Sequence, residues 1–479
     1  MSTLFLSFLL LISLCHTYGE EYNLYGDAGQ AYSMVVEVGH PHQKLKLLVD
    51  TGSTTLAIAA YPRKNNDLYF HIDNSSSIHD TGKSVRAEYS QGKWSGQLVS
   101  DYIHFPSLPD IPEVRTDIAL ITESHKFFMN GSGWQGLLGL AYLPVGAWSD
   151  GVTVESWLDA VDQKLEKPMS FELKLCGPLN PDNITHYGLL KMLDAPALNE
   201  NHNDMFRTPI LRKRWYEVGV IAVRVLIANR SHLQLIQSPN VDMCQKLNVE
   251  KSIVDSGTTN IRLPDALFKQ VIDELKEVYR SLQILILDDF WYKGQAACWP
   301  EPQEWMFPWL GIDLLSADAD NQYFTIEIPP QNYIRAVGVY NNLDNEGTMS
   351  EYCYKLGIEA GGAETVLGYT AMEGLQVLFN KSAGWIGWKS SDCGPNSRIT
   401  GPYNASTSLK DTCQLLKPVS DVAISIKTAQ WALCVVSLIA ASVLIYLLAP
   451  CVKTFLIRRL PVTQQISLSQ ASLVEQEGA

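Results

Sequence analysis

The feature that most constrains this chain is a short segment that it uses twice. Leu47-Leu48-Val49-Asp50-Thr51-Gly52-Ser53 recurs as Ser252-Ile253-Val254-Asp255-Ser256-Gly257-Thr258, with the two aspartates 205 residues apart (255 − 50). Each copy is led by apolar, mostly branched residues that read as a buried strand, and each runs into a turn of small residues. Each also has an apolar-apolar-Gly partner, Leu137-Leu138-Gly139 and Val366-Leu367-Gly368, whose glycines follow the aspartates by 89 and 113 residues (139 − 50 and 368 − 255). One Asp-Thr-Gly is an ordinary turn. Two, each with a strand before it and a glycine partner behind it, imply two similar β lobes that face one another and contribute one aspartate each.

Two carboxyls within reach of one water define a chemistry. Like charges that close cannot both ionise, so the pair shares one proton. The ionised carboxylate takes a proton from the water as it attacks a carbonyl, and the protonated partner supports the oxygen where negative charge develops. Asp50 and Asp255 are therefore the expected catalytic pair for hydrolysis of a peptide bond. Gly52 and Gly257 are expected to let the chain turn and bring N–H groups to the carboxylates. The hydroxyls of Thr51, Ser53, Ser256 and Thr258 are expected to hold those carboxylates coplanar.

The rest of the chain supports an all-β fold with a few small helices. Runs such as Tyr32–Val38, Leu45–Val49, Gln97–Ile103, Asp117–Ile121 and Tyr323–Ile328 are bounded by Gly, Pro, Asn or Asp, the punctuation of short strands. Helical periodicity is best in Val154–Leu165 and Pro264–Leu282, the latter with proline at a first-turn position. At 479 residues and 46% hydrophobic, the chain is long enough for two lobes and a large core.

The two ends point to the secretory pathway. Residues 4–14 are nearly all apolar and are followed by His16, Thr17 and Gly19, a pattern that reads as a signal peptide over 1–19. Trp431 to Val452 is a run of 22 residues without a charge, enough to cross about 30 Å of hydrocarbon. Lys453, Arg458 and Arg459 follow it, which puts the C-terminus in the cytosol and makes a single-pass type I protein with its catalytic unit lumenal. A lipid-anchor signal does not fit, because a polar stretch of 27 residues follows Val452. Excluding Cys15 and the span cysteines Cys434 and Cys451 leaves six lumenal ones, Cys176, Cys244, Cys298, Cys353, Cys393 and Cys413. An even number in an oxidising compartment implies three disulfides, with fifteen pairings open. Glycosylation sequons at Asn74, Asn130, Asn183, Asn229, Asn380 and Asn404 fit the same placement.

The expected domains are a signal at 1–19, an N-terminal catalytic lobe at 20–200, a C-terminal catalytic lobe at 201–413, a stalk at 414–430, a transmembrane helix at 431–452 and a cytosolic tail at 453–479. A net charge of −14 without clustered Lys or Arg argues against nucleic acid as a partner. The ten histidines are scattered without a His-Glu-x-x-His or any close metal spacing, and no Gly-x-Ser-x-Gly or phosphate-binding glycine loop occurs, so no metal and no cofactor are expected.

With these motifs in hand, the chain resembles the pepsin-like aspartic proteases, and within them the membrane-anchored β-secretase group. The resemblance runs from Gly26 to the span. It is carried by Gly29-Gln30-Ala31-Tyr32, Gln91-Gly92-Lys93-Trp94, Ile121-Thr122-Glu123-Ser124 with Lys126-Phe127-Phe128, Gly139-Leu140-Ala141-Tyr142, and Lys251 through Asn260. It implies a bilobal fold and an aspartic endopeptidase acting on protein or peptide substrates, type I membrane proteins among them, at the cell surface or in acidic endosomal or Golgi compartments. It implies that Tyr89 is the tyrosine of a β-hairpin flap with Gln91 beside it, that Trp94 is its hydrogen-bond partner, and that Phe127 lines an apolar pocket beside the cut bond. It implies that Arg262 is the basic residue of a substrate side-chain pocket, and that the disulfides are Cys176–Cys393, Cys244–Cys413 and Cys298–Cys353.

Two features depart from the group. Only 31 residues separate Gly19 from Asp50 (50 − 19) and no dibasic pair lies between them, so either no substantial propeptide is made or the chain is incomplete at its start. The tail lacks an acidic dileucine sorting signal, which puts endosomal cycling in doubt. Two rival readings are a catalytically silent pepsin-like binding protein and a general acid protease of another pepsin subfamily. The intact aspartates and hydroxyls oppose the first, and the membrane span opposes the second.

Overall fold

The computed structural model describes residues 22–26, 32–62, 68–89, 92–128, 133–142, 154–180, 183–194, 204–226, 240–280, 286–299, 307–344, 347–415 and 422–457. The chain divides into two units, Met1–Leu416 and Lys417–Ala479.

The first unit is built on strands, and the expected runs lie within them, save that Tyr32 falls just before the first: Ser33–Val38, Gln43–Asp50, Lys93–His104, Val114–His125 and Gln322–Ile328. The internal repeat is a repeat of topology as well as of sequence. Gln43–Asp50 pairs in parallel with Gly136–Gly139, which pairs antiparallel with Leu56–Ala59, which in turn pairs in parallel with Val114–His125. In the second copy, Ser252–Asp255 pairs in parallel with Thr365–Gly368, which pairs antiparallel with Ile261–Leu263, which pairs in parallel with Ile358–Ala360. The register is the same at the key position, with Asp50 opposite Gly139 and Asp255 opposite Gly368. Every residue of the Gly136–Gly139 and Thr365–Gly368 strands is buried, which is why both read as apolar runs rather than as alternating ones.

Helices are short and lean on the sheets. Trp157–Leu165 starts at Ser156, whose side chain accepts from the Asp159 N–H, and ends at Glu166 in the left-handed region. Its Trp157 packs edge-on against Phe105 at 4.9 Å. Asp265–Arg280 follows Pro264 and buries Leu267, Phe268, Val271, Ile272 and Leu275, one face of an amphipathic helix. The disulfides are Cys176–Cys393, Cys244–Cys413 and Cys298–Cys353. The first two close loops of 217 and 169 residues, so they link parts of the chain far apart in sequence.

The halves of this unit are also joined by a buried polar knot. Tyr32 donates its hydroxyl to Glu373 Oε1 at 2.7 Å, His186 Nδ1 pairs with the same oxygen at 2.8 Å, and the Gly177 N–H donates to the Tyr32 hydroxyl at 2.9 Å. Burial by itself raises the Glu373 carboxyl, but His186, then Arg335 and the Tyr32 hydroxyl, outweigh it and hold the group below its ordinary value.

In the second unit a helix runs over Val422–Ile457, and its segment Gln430–Pro450 is long and apolar enough to cross a membrane. None of that apolar window is buried, and large side chains from Trp431 to Leu448 are 49–79% exposed. The helix begins within the stretch expected to be a stalk.

Of the sequon asparagines, Asn74 and Asn404 are exposed. Asn380 is not: it is 2% exposed, and its Oδ1 accepts from the Ser382 hydroxyl and the Ala383 N–H in the turn after its strand. An amide so enclosed is not presented for glycosylation on the folded surface. Asn130 and Asn229 lie outside the described residues, as does the side chain of Asn183.

Candidate active site

Each aspartate ends a buried strand, so its carboxyl emerges where the backbone must turn, and the following residues wrap it. The Gly52 N–H donates to Asp50 Oδ1 at 2.8 Å and the Ser53 hydroxyl donates to Asp50 Oδ2 at 2.5 Å. The second copy repeats this: the Gly257 N–H donates to Asp255 Oδ1 at 2.9 Å and the Thr258 hydroxyl to Asp255 Oδ2 at 2.7 Å. The third residue after each aspartate therefore orients its carboxylate, as expected for Ser53 and Thr258.

Thr51 and Ser256 do something else, and here the expectation from sequence needs correcting. Both are buried at 0–1% exposure, and their hydroxyls bond to the opposite lobe instead of to a carboxylate. Thr51 Oγ1 donates to the Val254 carbonyl at 2.9 Å and accepts from the Ser256 N–H at 2.9 Å. Ser256 Oγ donates to the Val49 carbonyl at 2.7 Å and accepts from the Thr51 N–H at 3.1 Å. The reason is geometric: both strands end side by side, so a hydroxyl one residue past each aspartate meets the other strand's backbone first. Four reciprocal hydrogen bonds lock the two turns together.

That lock sets the carboxyls against each other. A Cβ added to Gly52 falls 2.6 Å from Asp255 Cγ, and one added to Gly257 falls 2.7 Å from Asp50 Cγ. Each glycine is thus required by the close approach of the opposite carboxylate. Burial, then the negative charge of Asp255, raise Asp50 to about 8 against the opposing pull of the Ser53 hydroxyl and the Gly52 N–H.

Above the pair, His79–Glu88 and Lys93–His104 form a hairpin closed by the Tyr89 N–H donating to the Gly92 carbonyl at 2.7 Å. Gln91 lies outside the described residues. Tyr89 stacks on Phe127, with ring centroids 5.5 Å apart and planes 27° apart, and Phe127 meets Trp94, Phe128 and Trp134 edge-on. Half-buried Phe127 thus serves the flap as a platform. Burial and the charge of Asp50 raise the Tyr89 phenol above its ordinary value, with Trp94 and Ser53 acting the other way. Trp94 faces the Tyr89 phenol and lowers its pKa as a hydrogen-bond donor does, while the pair falls short of full hydrogen-bond geometry among the described residues.

Arg262 sits in the strand Ile261–Leu263 opposite Glu359, and its Nε lies 3.1 Å from Glu359 Oε1. Asn260 Nδ2 donates to the other oxygen, Oε2, at 2.8 Å. Glu359 has no signal in the sequence, because it comes from a strand 97 residues downstream (359 − 262). Among the described residues, the carboxylates and histidines that could hold a metal gather elsewhere, at His40, His42 and Glu113.

A duplicated β unit that brings two aspartates face to face under a hairpin is the architecture of a bilobal aspartic protease. A profile of the eukaryotic aspartyl protease family matches residues 31–389, and the chain belongs to that family. It is 32% identical over 396 residues to a β-secretase of Strongylocentrotus purpuratus, an alignment covering 79% of this chain and 70% of that protein. Shorter alignments relate it to pregnancy-associated glycoprotein 2 of Sus scrofa (31% identical, 29% of this chain and 33% of that one) and to pepsin A-5 of Mus musculus (28%, 40% and 48%).

Proposed function

We propose that this protein is an aspartic endopeptidase in which Asp50 and Asp255 activate one water, and that it sheds the ectodomains of type I membrane proteins in the manner of a β-secretase. The observation that carries the catalytic part is the reciprocal Thr51–Ser256 lock, which joins the two turns and sets each carboxyl against the other turn's glycine. One proton shared by the pair lets one carboxyl act as base on the water while the other supports the developing oxyanion. Ser53 and Thr258 keep each carboxylate oriented, and closure of the Tyr89 hairpin excludes water from the reaction.

Membrane anchoring through residues 431–452, a lumenal catalytic unit, a signal at 1–19 and a cytosolic tail at 453–479 complete the reading. The apolar helix and the likeness to the β-secretase of Strongylocentrotus purpuratus support it. We place Arg262 in the pocket for the substrate side chain two residues before the cut, with Glu359 setting how much positive charge a substrate meets there. The test is cleavage of a quenched peptide by wild type, Asp50→Asn and Asp255→Asn, with surface proteomics of shed ectodomains from cells expressing each. Each variant alone abolishes most turnover and the double variant adds little, because the carboxyls act as a unit. Substantial turnover by either variant refutes the mechanism, and an unchanged ectodomain profile refutes the shedding role.

A further inference from the structure

Far from the aspartates, the turn between the first two core strands gathers a second set of chemically able side chains. Residues 39–42 connect Ser33–Val38 to Gln43–Asp50 and present His40 and His42, whose rings stack at 5.0 Å. Glu113 reaches them from just before the strand Val114–His125, with Oε1 3.0 Å from His42 Nε2 and Oε2 3.6 Å from His40 Nε2. His42 Nδ1 lies 2.9 Å from Glu37 Oε2. One donor atom from each of His40, His42 and Glu113 lies within 4.8 Å of the others.

We propose that His40, His42 and Glu113 form a zinc-type metal site, unrelated to catalysis, with Glu37 as the residue that orients His42. Three observations converge on it. Donor atoms about 2.0–2.1 Å from a tetrahedral zinc stand roughly 3.3 Å from one another. Glu113 Oε1 stands 3.0 Å from His42 Nε2 and its other oxygen, Oε2, 3.6 Å from His40 Nε2, each close to that spacing, and one donor atom from each residue lies within 4.8 Å of the others, so small side-chain adjustments complete the set. Second, His42 is flanked by a carboxylate on each ring nitrogen. Nδ1–H donation to Glu37 leaves Nε2, which faces a Glu113 oxygen, as the position that a proton or a metal ion fills. That donation to Glu37 is the usual outer partner of a metal-bound histidine. Third, the turn is held in advance. The His40 N–H lies 3.0 Å from the Ser77 hydroxyl and 3.3 Å from that of Ser75, and both serines donate to the fully buried Asp101.

Two imidazoles and a carboxylate suit zinc, copper or nickel over calcium or magnesium, which prefer all-oxygen sets. The donor side chains are 32–42% exposed, so an ion enters freely and water completes its coordination. Gln43, at the near end of its strand, is seven residues from Asp50, roughly 23 Å of extended chain. The site therefore pins the far end of the strand that carries Asp50 to the loop leading into Val114, and acts on stability.

Full-length protein in detergent, stripped of metal, is titrated with zinc chloride at neutral pH by calorimetry, and its bound metal is counted after dialysis. One zinc per chain assigned to this site is expected, unaffected by excess magnesium, with a rise in Tm on its addition. His42→Ala and Glu113→Gln each lose that zinc and the rise in Tm. Glu37→Gln, which keeps all three donors, weakens binding about 10–100-fold. Should His42→Ala fail to fold, the shape-preserving Glu113→Gln decides alone. No zinc bound by the wild type, or undiminished affinity in Glu113→Gln, overturns the assignment.

Discussion

Replacing Thr51 with valine keeps the shape of the side chain and removes only its hydroxyl, so it isolates the lock between the two turns. Thr51 is fully buried, and its hydroxyl serves two partners from the other strand, the Val254 carbonyl and the Ser256 N–H, each at 2.9 Å. A buried polar group left without its partner costs about 1–3 kcal/mol, so the two together cost about 2–6 kcal/mol, with no cavity to add. Catalysis suffers beyond stability, because the same bonds fix the separation of the carboxyls. Misplacement by about 1 Å lowers rate on the order of a hundredfold. We expect kcat to fall by that order while KM for a quenched peptide changes little, since the substrate's binding groups are untouched. Ser256→Ala removes the other two bonds and reproduces both effects. The double variant costs less than the sum, with a coupling of about 0.5–3 kcal/mol, because either loss already loosens the pair. Urea unfolding and steady-state kinetics on the four proteins measure all of this. Thr51→Val with wild-type kcat, or strictly additive losses, refutes the idea that the reciprocal bonds act as one device.

Three further predictions concern charge. Asp50 is raised from 3.8 in the unfolded chain to about 8 in the folded one, so its contribution favours folding most below pH 4 and is lost as pH rises through about 8. Asp50→Asn should flatten the decline in Tm across that window, and a decline as steep as that of wild type counts against the assignment. Glu373→Gln breaks a buried pair with His186 and should cost about 3–5 kcal/mol in urea unfolding; a cost below about 1 kcal/mol means that the knot contributes little. Arg262→Gln should flatten any preference for Asp, Glu or Asn two residues before the cut, while Glu359→Gln, by removing the carboxylate paired with Arg262, should sharpen it. A peptide library varied at that position reads both, and identical profiles in all three proteins would place Arg262 outside substrate recognition.

Much of this molecule is legible in its sequence where the cause is local. A buried strand must be apolar along its length, so Leu47–Val49 and Ile253–Val254 announce themselves, and a turn forced against an opposing carboxylate admits only glycine, so Gly52 and Gly257 do too. The helix after Pro264 and the uncharged run at Trp431–Val452 are written in the same way, by periodicity and by length. The hydroxyls show where that legibility ends. Thr51 and Ser53 have the same chemistry two residues apart, yet one bonds across the lobes and the other orients Asp50. Which partner a hydroxyl takes is decided by the direction in which its strand end meets another strand, and no local pattern encodes that. The same holds for Glu359 beside Arg262, for Glu113 beside His40 and His42, and for the burial of Asn380. The residue types that carry the chemistry were set by the chain itself. Which of them meet was decided by packing, because hydrogen bonds and ion pairs form between neighbours in space, and in this fold those neighbours are separated by as much as the 341 residues between Tyr32 and Glu373.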